Sequence, residues 1–194
     1  NIDKNPCILH TLPIGFQVDH LPETLDPIGQ IGSKIKADFI VVTADQSKND
    51  ILKQCLISAQ SEHLKTGNIY YSPLATASSV LNLDEKQLGV ALVDIGSGTI
   101  EISVYTKNRL RHSKVINWGG DRITEDIQIG LNVSLEHAEV LKTKFGSALS
   151  KEIDINEVVL IPGIAGRKPT PISAKNLAII IEERLKELAA IVMV

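Results

Sequence analysis

A mixed α/β fold is predicted for this chain of 194 residues, and three features of its sequence predict it. Strand-like and helix-like apolar patterns alternate along the chain. A continuous apolar run from Leu88 to Val93 ends in Asp94 and turns through Ile95-Gly96-Ser97-Gly98-Thr99 into a second, alternating run from Ile100 to Tyr105. The strand that returns from there closes on Gly119-Gly120, a glycine pair placed to open a helix. Composition agrees: 43% of the residues are hydrophobic and 22% charged, enough apolar surface for a packed core.

The same arithmetic removes several function classes. A formal net charge of −3 argues against a basic nucleic-acid binder, and an aromatic content of 4% argues against a base-stacking platform. Cys7 and Cys55 form no CxxC pair and read as reduced thiols. The five histidines are scattered without zinc-ligand spacing. No apolar run approaches the roughly 18–20 residues needed to span a bilayer. With no signal-peptide pattern at its start, the chain reads as a cytoplasmic protein or a piece of one.

The elements follow in order. Cys7 to Asp19 is β-like but interrupted by Pro13 and Gly15, and Pro22, Asp26-Pro27, Gly29 and Gly32 mark a long loop. Lys34 to Thr43 reads as a strand, and a helix follows from about Ser47, with Ser47 and Asp50 in the form of a capping box. Ile51, Leu52, Cys55, Leu56 and Ala59 make its apolar stripe, so Cys55 is expected to fill core. His10 is expected in a structural place at a strand end. Asn68 to Tyr71 reads as a short strand, and Ser72-Pro73 as the cap and first turn of a small-sided helix. After the strand ending in Asp94 and its partner from Ile100, Lys107-Asn108-Arg109 forms a turn and Leu110 to Trp118 the return strand. A helix is expected near Asp121 to Leu131, another is capped by Ser134 and ends at Gly146, and a strand covers Glu157 to Ile161. A loop runs from Pro162 to Pro171, and a closing helix starts at Ser173. That helix carries Leu177, Ile181, Leu185, Leu188 and Ile191 on one stripe.

The hairpin from Asp94 to Thr99 carries the chemistry. Glycines at 96 and 98 permit positive φ and let backbone N–H groups approach a ligand closely, and successive N–H groups in such a turn form a concave anion nest. Asp94 at the strand end is placed to hold a hydrated Mg²⁺ over the same phosphates. The pattern is neither a Walker loop nor a dinucleotide fingerprint, because a strand rather than a helix follows it. Gly119 and Gly120 add a helix N-terminus with further N–H donors. Glu139 and Lys142 stand one turn apart on a helix, open to two readings: an i,i+3 ion pair, or contacts to a nucleotide's sugar or base.

These residues resemble the actin-like (ribonuclease H-like) ATPase superfamily, and within it the FtsA family of bacterial cell division. The resemblance is carried by Asp94 to Thr99, by Gly119-Gly120-Asp-Arg-Ile-Thr-Glu-Asp-Ile127, by Ala138-Glu-Val-Leu-Lys142 and by Ile161-Pro-Gly-Ile-Ala-Gly-Arg-Lys-Pro169. His10-Thr-Leu-Pro13 with Asp19 and the Asp26-Pro27 loop are similar to the small α+β (SHS2-like) subdomain special to that family. The resemblance implies four parts: residues 1–67 as part of that subdomain, 68–88 as the end of the first large subdomain, 89–149 as the second large subdomain with its phosphate hairpin, and 150–194 as the second small one. It implies ATP and Mg²⁺ as cofactors, held by Asp94, Gly96, Ser97, Gly98, Thr99, Gly119, Gly120, Glu139 and Lys142. The partners it implies are the C-terminal tail of FtsZ, with Lys175 and Arg184 as candidate contacts, further copies of the protein in actin-like filaments, and later division proteins through residues 1–67. Anchoring at the cytoplasmic face of the inner membrane would come through a C-terminal helix this chain lacks, and no nucleic acid is involved. The missing first phosphate loop and adenine loop read the chain as an internal fragment. ATPase activity is expected to be weak or absent, because Ser72 to Leu81 offers hydroxyls but no carboxylate or amide to aim a water. The alternatives are a pilus-assembly scaffold of the PilM type, which shares the hairpin, and an ATP-dependent kinase, for which no aspartate base in a sugar cleft is found.

Overall fold

The computed structural model describes residues 6–59, 67–161 and 169–193. Contacts divide the chain into two units, Asn1–Leu92 with Ile102–Lys114, and Val93–Glu101 with Val115–Val194.

In the first unit, β1 (Pro6–Val18) and β2 (Ile35–Asp45) pair antiparallel, with register shifts between Ile8 and His10 and between Pro13 and Gly15. The second shift falls where proline cannot donate to the ladder. Asp19 closes the loop between the strands: its carboxylate accepts from the amides of Ser33 (3.0 Å) and Lys34 (2.8 Å), which hold its pKa below the ordinary carboxylate value. Helix α1 (Gln46–Ala59) starts a residue earlier than expected because β2 runs on to Asp45. Asp45, rather than Ser47, caps it by accepting from the Ser47 amide at 2.7 Å. No described element covers its apolar stripe: Ile51, Leu52 and Leu56 are exposed, and so is Cys55, which corrects its reading as core.

Asn68 to Tyr71 is not a strand. The Tyr71 amide donates to His10 Nε2 at 3.0 Å, and the His10 ring stacks on Tyr70, so a side chain takes the place of a strand partner. Helix α2 (Ser72–Val80) has Tyr71 at its N-cap without a side-chain bond, which makes Ser72 the first helical residue and not the cap. Ala77 on this helix is fully buried with Tyr105 and Leu110, and Leu12, Ile40, Leu74 and Leu92 pack around them. A short helix α3 (Leu83–Leu88) was not expected; Asn82 and Glu85 exchange side-chain bonds with each other's amides at 2.8 and 2.9 Å and so start it. Gly89 ends it at φ +120°, a conformation glycine allows, and turns the chain into the next strand.

Strands β3 (Val90–Ile95), β4 (Ile100–Thr106) and β5 (Arg109–Ile116) form one sheet in that order. Lys107 and Asn108 at φ +52° and +59° make the two-residue turn between β4 and β5. β5 stops at Ile116, two residues before Trp118.

The second unit is built on α4 (Gly120–Leu131), which packs against both α5 (Leu135–Phe145) and α6 (Ala174–Val192). Ser134 caps α5 as expected, and Ser173, expected to begin α6, caps it instead; they accept from the amides of His137 and Asn176. Ile127, Leu141, Leu177 and Leu188 are the buried centre of this packing. Of the α6 stripe, Leu177, Ile181 and Leu188 are buried, while Leu185 and Ile191 are half-buried. β6 (Val158–Ile161) pairs antiparallel with β7 (Thr170–Ser173), a strand that begins in the last two residues of the stretch expected as loop and runs on to Ser173. Pro171 hid it, because proline reads against a strand yet is tolerated at a sheet edge. The expected turn at Pro162 and most of the Gly-Arg-Lys-Pro segment lie outside the described residues.

Candidate functional site

The site grows from the end of β3. Asp94 is half-buried there, and beyond it Gly96, Ser97 and Gly98 stand exposed before β4 starts at Ile100. The Gly96 amide donates to the Thr99 carbonyl at 2.8 Å and closes the turn. Neither Gly96 nor Gly98 has positive φ, so the turn does not use the backbone freedom that the two glycines permit. The turn is made within ordinary φ space, and what the two glycines supply is a position without a side chain on either side of Ser97. A Cβ on Gly96 would stand 3.2 Å from the Thr99 carbonyl oxygen, already crowding the turn.

The start of α4 is clasped onto this turn. The Gly120 amide donates to the Gly96 carbonyl (3.0 Å) and the Asp121 amide to the Ser97 carbonyl (2.8 Å). The approach is so close that a Cβ on Gly119 would lie 2.3 Å from the Ser97 oxygen, which is why this position carries glycine. The expectation of unpaired donors at the helix start is therefore not met at residues 120 and 121, whose N–H groups hold the hairpin. A side-chain bond completes the clasp: Ser97 Oγ donates to Asp121 Oδ1 at 2.5 Å.

One turn further along α4, the buried Thr124 joins the two residues expected from α5. Its hydroxyl donates to Glu139 Oε2 and accepts from Lys142 Nζ, both at 2.7 Å. Lys142 also pairs with Glu139 at 2.7 Å and donates to the Gly120 carbonyl at 3.2 Å. The bonds from Lys142 first, and then from Thr124, hold the Glu139 carboxyl below its ordinary pKa, so it is an anion at neutral pH. The ion pair expected from the i,i+3 spacing is thus formed, and it ties α5 to the start of α4. Glu139 still borders a cleft of about 670 Å³ lined with Ser97, Asp121, Thr124, Glu125, Leu135 and Glu136. Four of these seven residues are carboxylates, so a polyanion entering here needs a divalent cation with it. The oxygen-only donors fit Mg²⁺, which keeps most of its waters and takes few protein ligands. Among the described residues no group of three or more His, Cys, Asp or Glu is arranged to hold a metal ion.

Arg184 is engaged within the unit. Its guanidinium grips Asp126 with two bonds, at 2.5 and 2.9 Å, and a third bond goes to Glu187. It also lies over the ring of Trp118 at 5.6 Å, with Arg122 over the same ring at 5.7 Å. A partner's carboxylate could use this fork only by displacing Asp126. Lys175, in the first turn of α6, is half-buried and stands apart from the hairpin group in the sequence.

Sequence reasoning missed three residues of this constellation. Asp121 and Thr124 take part through bonds to Ser97, Glu139 and Lys142, which are distant in sequence. Thr124 left one signal, a hydroxyl among the apolar positions Ile123 and Ile127 of α4. Trp118 left another, as the only tryptophan of the chain directly before the glycine pair.

Residues 91–192 match the family described as Cell division protein FtsA, and residues 1–43 match the SHS2 domain inserted in FtsA. The chain is 35% identical over 191 residues to Cell division protein FtsA of Pseudomonas aeruginosa, covering 98% of this chain and 45% of that protein. To Cell division protein FtsA of Bacillus subtilis it is 34% identical over 192 residues, covering 99% of this chain and 43% of that protein. The chain thus spans a little under half the length of these relatives. Among solved structures, MreB5 of Spiroplasma citri bound to AMPPNP superposes with a TM-score of 0.55 at 19% identity, over 77% of this chain and 46% of that one. The PilM–PilN type IV pilus biogenesis complex gives 0.57 at 17% identity, over 72% of this chain and 38% of that one. The structural likenesses establish an actin-like fold, and the family match across more than half of the residues decides the branch: the chain belongs to the FtsA family of cell-division proteins.

Proposed function

We propose that this chain supplies the second phosphate-gripping jaw of an actin-like, ATP-binding cell-division adaptor. The carrying observation is the exposed turn from Gly96 to Thr99, clasped by Gly119-Gly120 at the start of α4 and opening beside the cleft that Glu139 borders. Backbone amides at the tip would receive phosphate oxygens, and Asp94 would face the hydrated Mg²⁺ that ATP brings. Glu139 and Lys142, already ordered by Thr124, would meet the sugar or base. That MreB5 structures were obtained with AMPPNP and with ADP supports this reading. ATP turnover is weak or absent in this reading.

The same reading makes the molecule a link between the C-terminal tail of FtsZ and the cytoplasmic face of the inner membrane, assembling into actin-like filaments at the septum. The tail would dock beside α6. Lys175 is the better placed of the two candidate contacts, because Arg184 already holds Asp126. Residues 1–67 would meet later division proteins. Within the described residues no helix is long and apolar enough to cross a membrane.

The test is calorimetric titration of the complete protein with ATP and Mg²⁺. Saturable binding that Asp94→Ala weakens at least tenfold, with capture on an immobilised FtsZ-tail peptide retained, is the expected outcome. Binding indifferent to Asp94→Ala contradicts the assignment of the jaw.

A further inference from the structure

We propose that the Asp121 carboxylate is a built-in anion on the phosphate turn, one that a nucleotide's phosphate must displace from Ser97 in order to bind. The proposal rests on the nucleotide reading and deepens it. Three observations carry it. Asp121 Oδ1 takes the proton of Ser97 Oγ at 2.5 Å. Its second oxygen, Oδ2, lies 3.8 Å from where a Cβ on Gly98 would stand, so the carboxylate spans the exposed tip from Ser97 to Gly98. The Asp121 backbone is fixed by its amide bond to the Ser97 carbonyl (2.8 Å), while its side chain is exposed and borders the cleft.

A carboxylate and a phosphate oxygen compete for the same hydroxyl proton, and two anions cannot share the tip without strong repulsion. The fixed backbone lets the side chain swing away while α4 stays clasped to the turn. Without ligand the tip is therefore satisfied and quiet. With ligand the Ser97 hydroxyl changes partner and Asp121 is released towards solvent. Asp121 acts through Ser97 and is a positioning residue, lowering the affinity for any anion too weak to displace it.

The experiment is titration of the complete protein with AMPPNP and Mg²⁺ by calorimetry, on the wild type, Asp121→Asn and Asp121→Ser, each alone and combined with Ser97→Ala. Removing the carboxylate is expected to tighten AMPPNP binding at least fivefold in either variant, and the gain is expected to shrink once Ser97 is alanine. Should one Asp121 variant fail to fold by circular dichroism, the other carries the test. Equal or weaker binding in a folded variant, beside a wild type that binds, overturns the displacement and leaves the nucleotide reading standing. A gain undiminished in the Ser97→Ala background overturns the role of Ser97. No binding by the wild type overturns both readings.

Discussion

Thr124 holds the second unit's polar centre through one hydroxyl. It is 4% exposed, gives its proton to Glu139 and takes one from Lys142, so no solvent stands ready to replace it. Thr124→Val keeps the shape and leaves both partners short of a bond. The expected cost is about 1–2 kcal/mol, or a fall of about 3–6 °C in Tm by differential scanning calorimetry. Thr124→Ser, which keeps the hydroxyl, is expected to stay within about 1 kcal/mol of the parent. Little of this was legible in the sequence. Glu139 and Lys142 declare themselves by their spacing, but a threonine between isoleucines gives no sign of which distant side chains it will meet. Asp121 is the same case: its neighbours in sequence suggest a helix start, and only the fold brings it to Ser97.

At the scale of elements, the glycine pair divides into two different roles. A methyl group on Gly119 would collide with the carbonyls of both Ser97 (2.3 Å) and Gly96 (2.5 Å), whereas one on Gly120 would come no closer than 3.7 Å to any atom, the nearest being Lys142 Nζ. Gly119→Ala should therefore cost about 2 kcal/mol or more by forcing α4 off the turn, while Gly120→Ala should be close to neutral; urea unfolding midpoints separate the two. A second element-level contact is sensitive to acid. Glu182 on α6 accepts from the Ser150 amide and pairs with Lys186, both at 2.9 Å, and its pKa is lowered to about 2, with Ser150 the larger cause. A depressed carboxylate stabilises the fold above its unfolded pKa, and this contribution is lost as pH falls through the folded value. The loss is thus expected between about pH 5 and pH 2, and Glu182→Gln should flatten that part of a plot of unfolding midpoint against pH.

At this scale the sequence was a good guide where periodicity is long and caps are local. The alternating strand from Ile100 and the Ser134 cap lie where expected, whereas the strand through Asp94 starts at Val90 because Leu88 belongs to α3, and Ser173 caps the closing helix that it was expected to begin. It was a poor guide where an element is very short or a residue rule is overridden. α3 has six residues, too few for a period to show, and Pro171 disguised β7. The left-handed residues of this sheet sit at Lys107-Asn108 and not at the glycines of the hairpin, whose turn the Gly96 amide closes on the Thr99 carbonyl within ordinary φ space.

For the molecule as a whole, alternation of strands and helices foretold the mixed α/β class, and the nearly continuous match to FtsA relatives agrees with it. Exposure was not legible. The stripe of α1 has helical spacing yet lies open, because spacing tells which side chains share a face and not what covers it. The central claim is that the turn after Asp94 receives phosphate on its amides while α4 stays clasped behind it. Its most direct test is a heteronuclear NMR titration of the complete protein, labelled with ¹⁵N at glycine, with AMPPNP and Mg²⁺. A large shift of the Gly98 amide with Gly120 still protected from hydrogen exchange is the predicted result; saturable binding that leaves the Gly96 and Gly98 resonances unmoved would contradict the account.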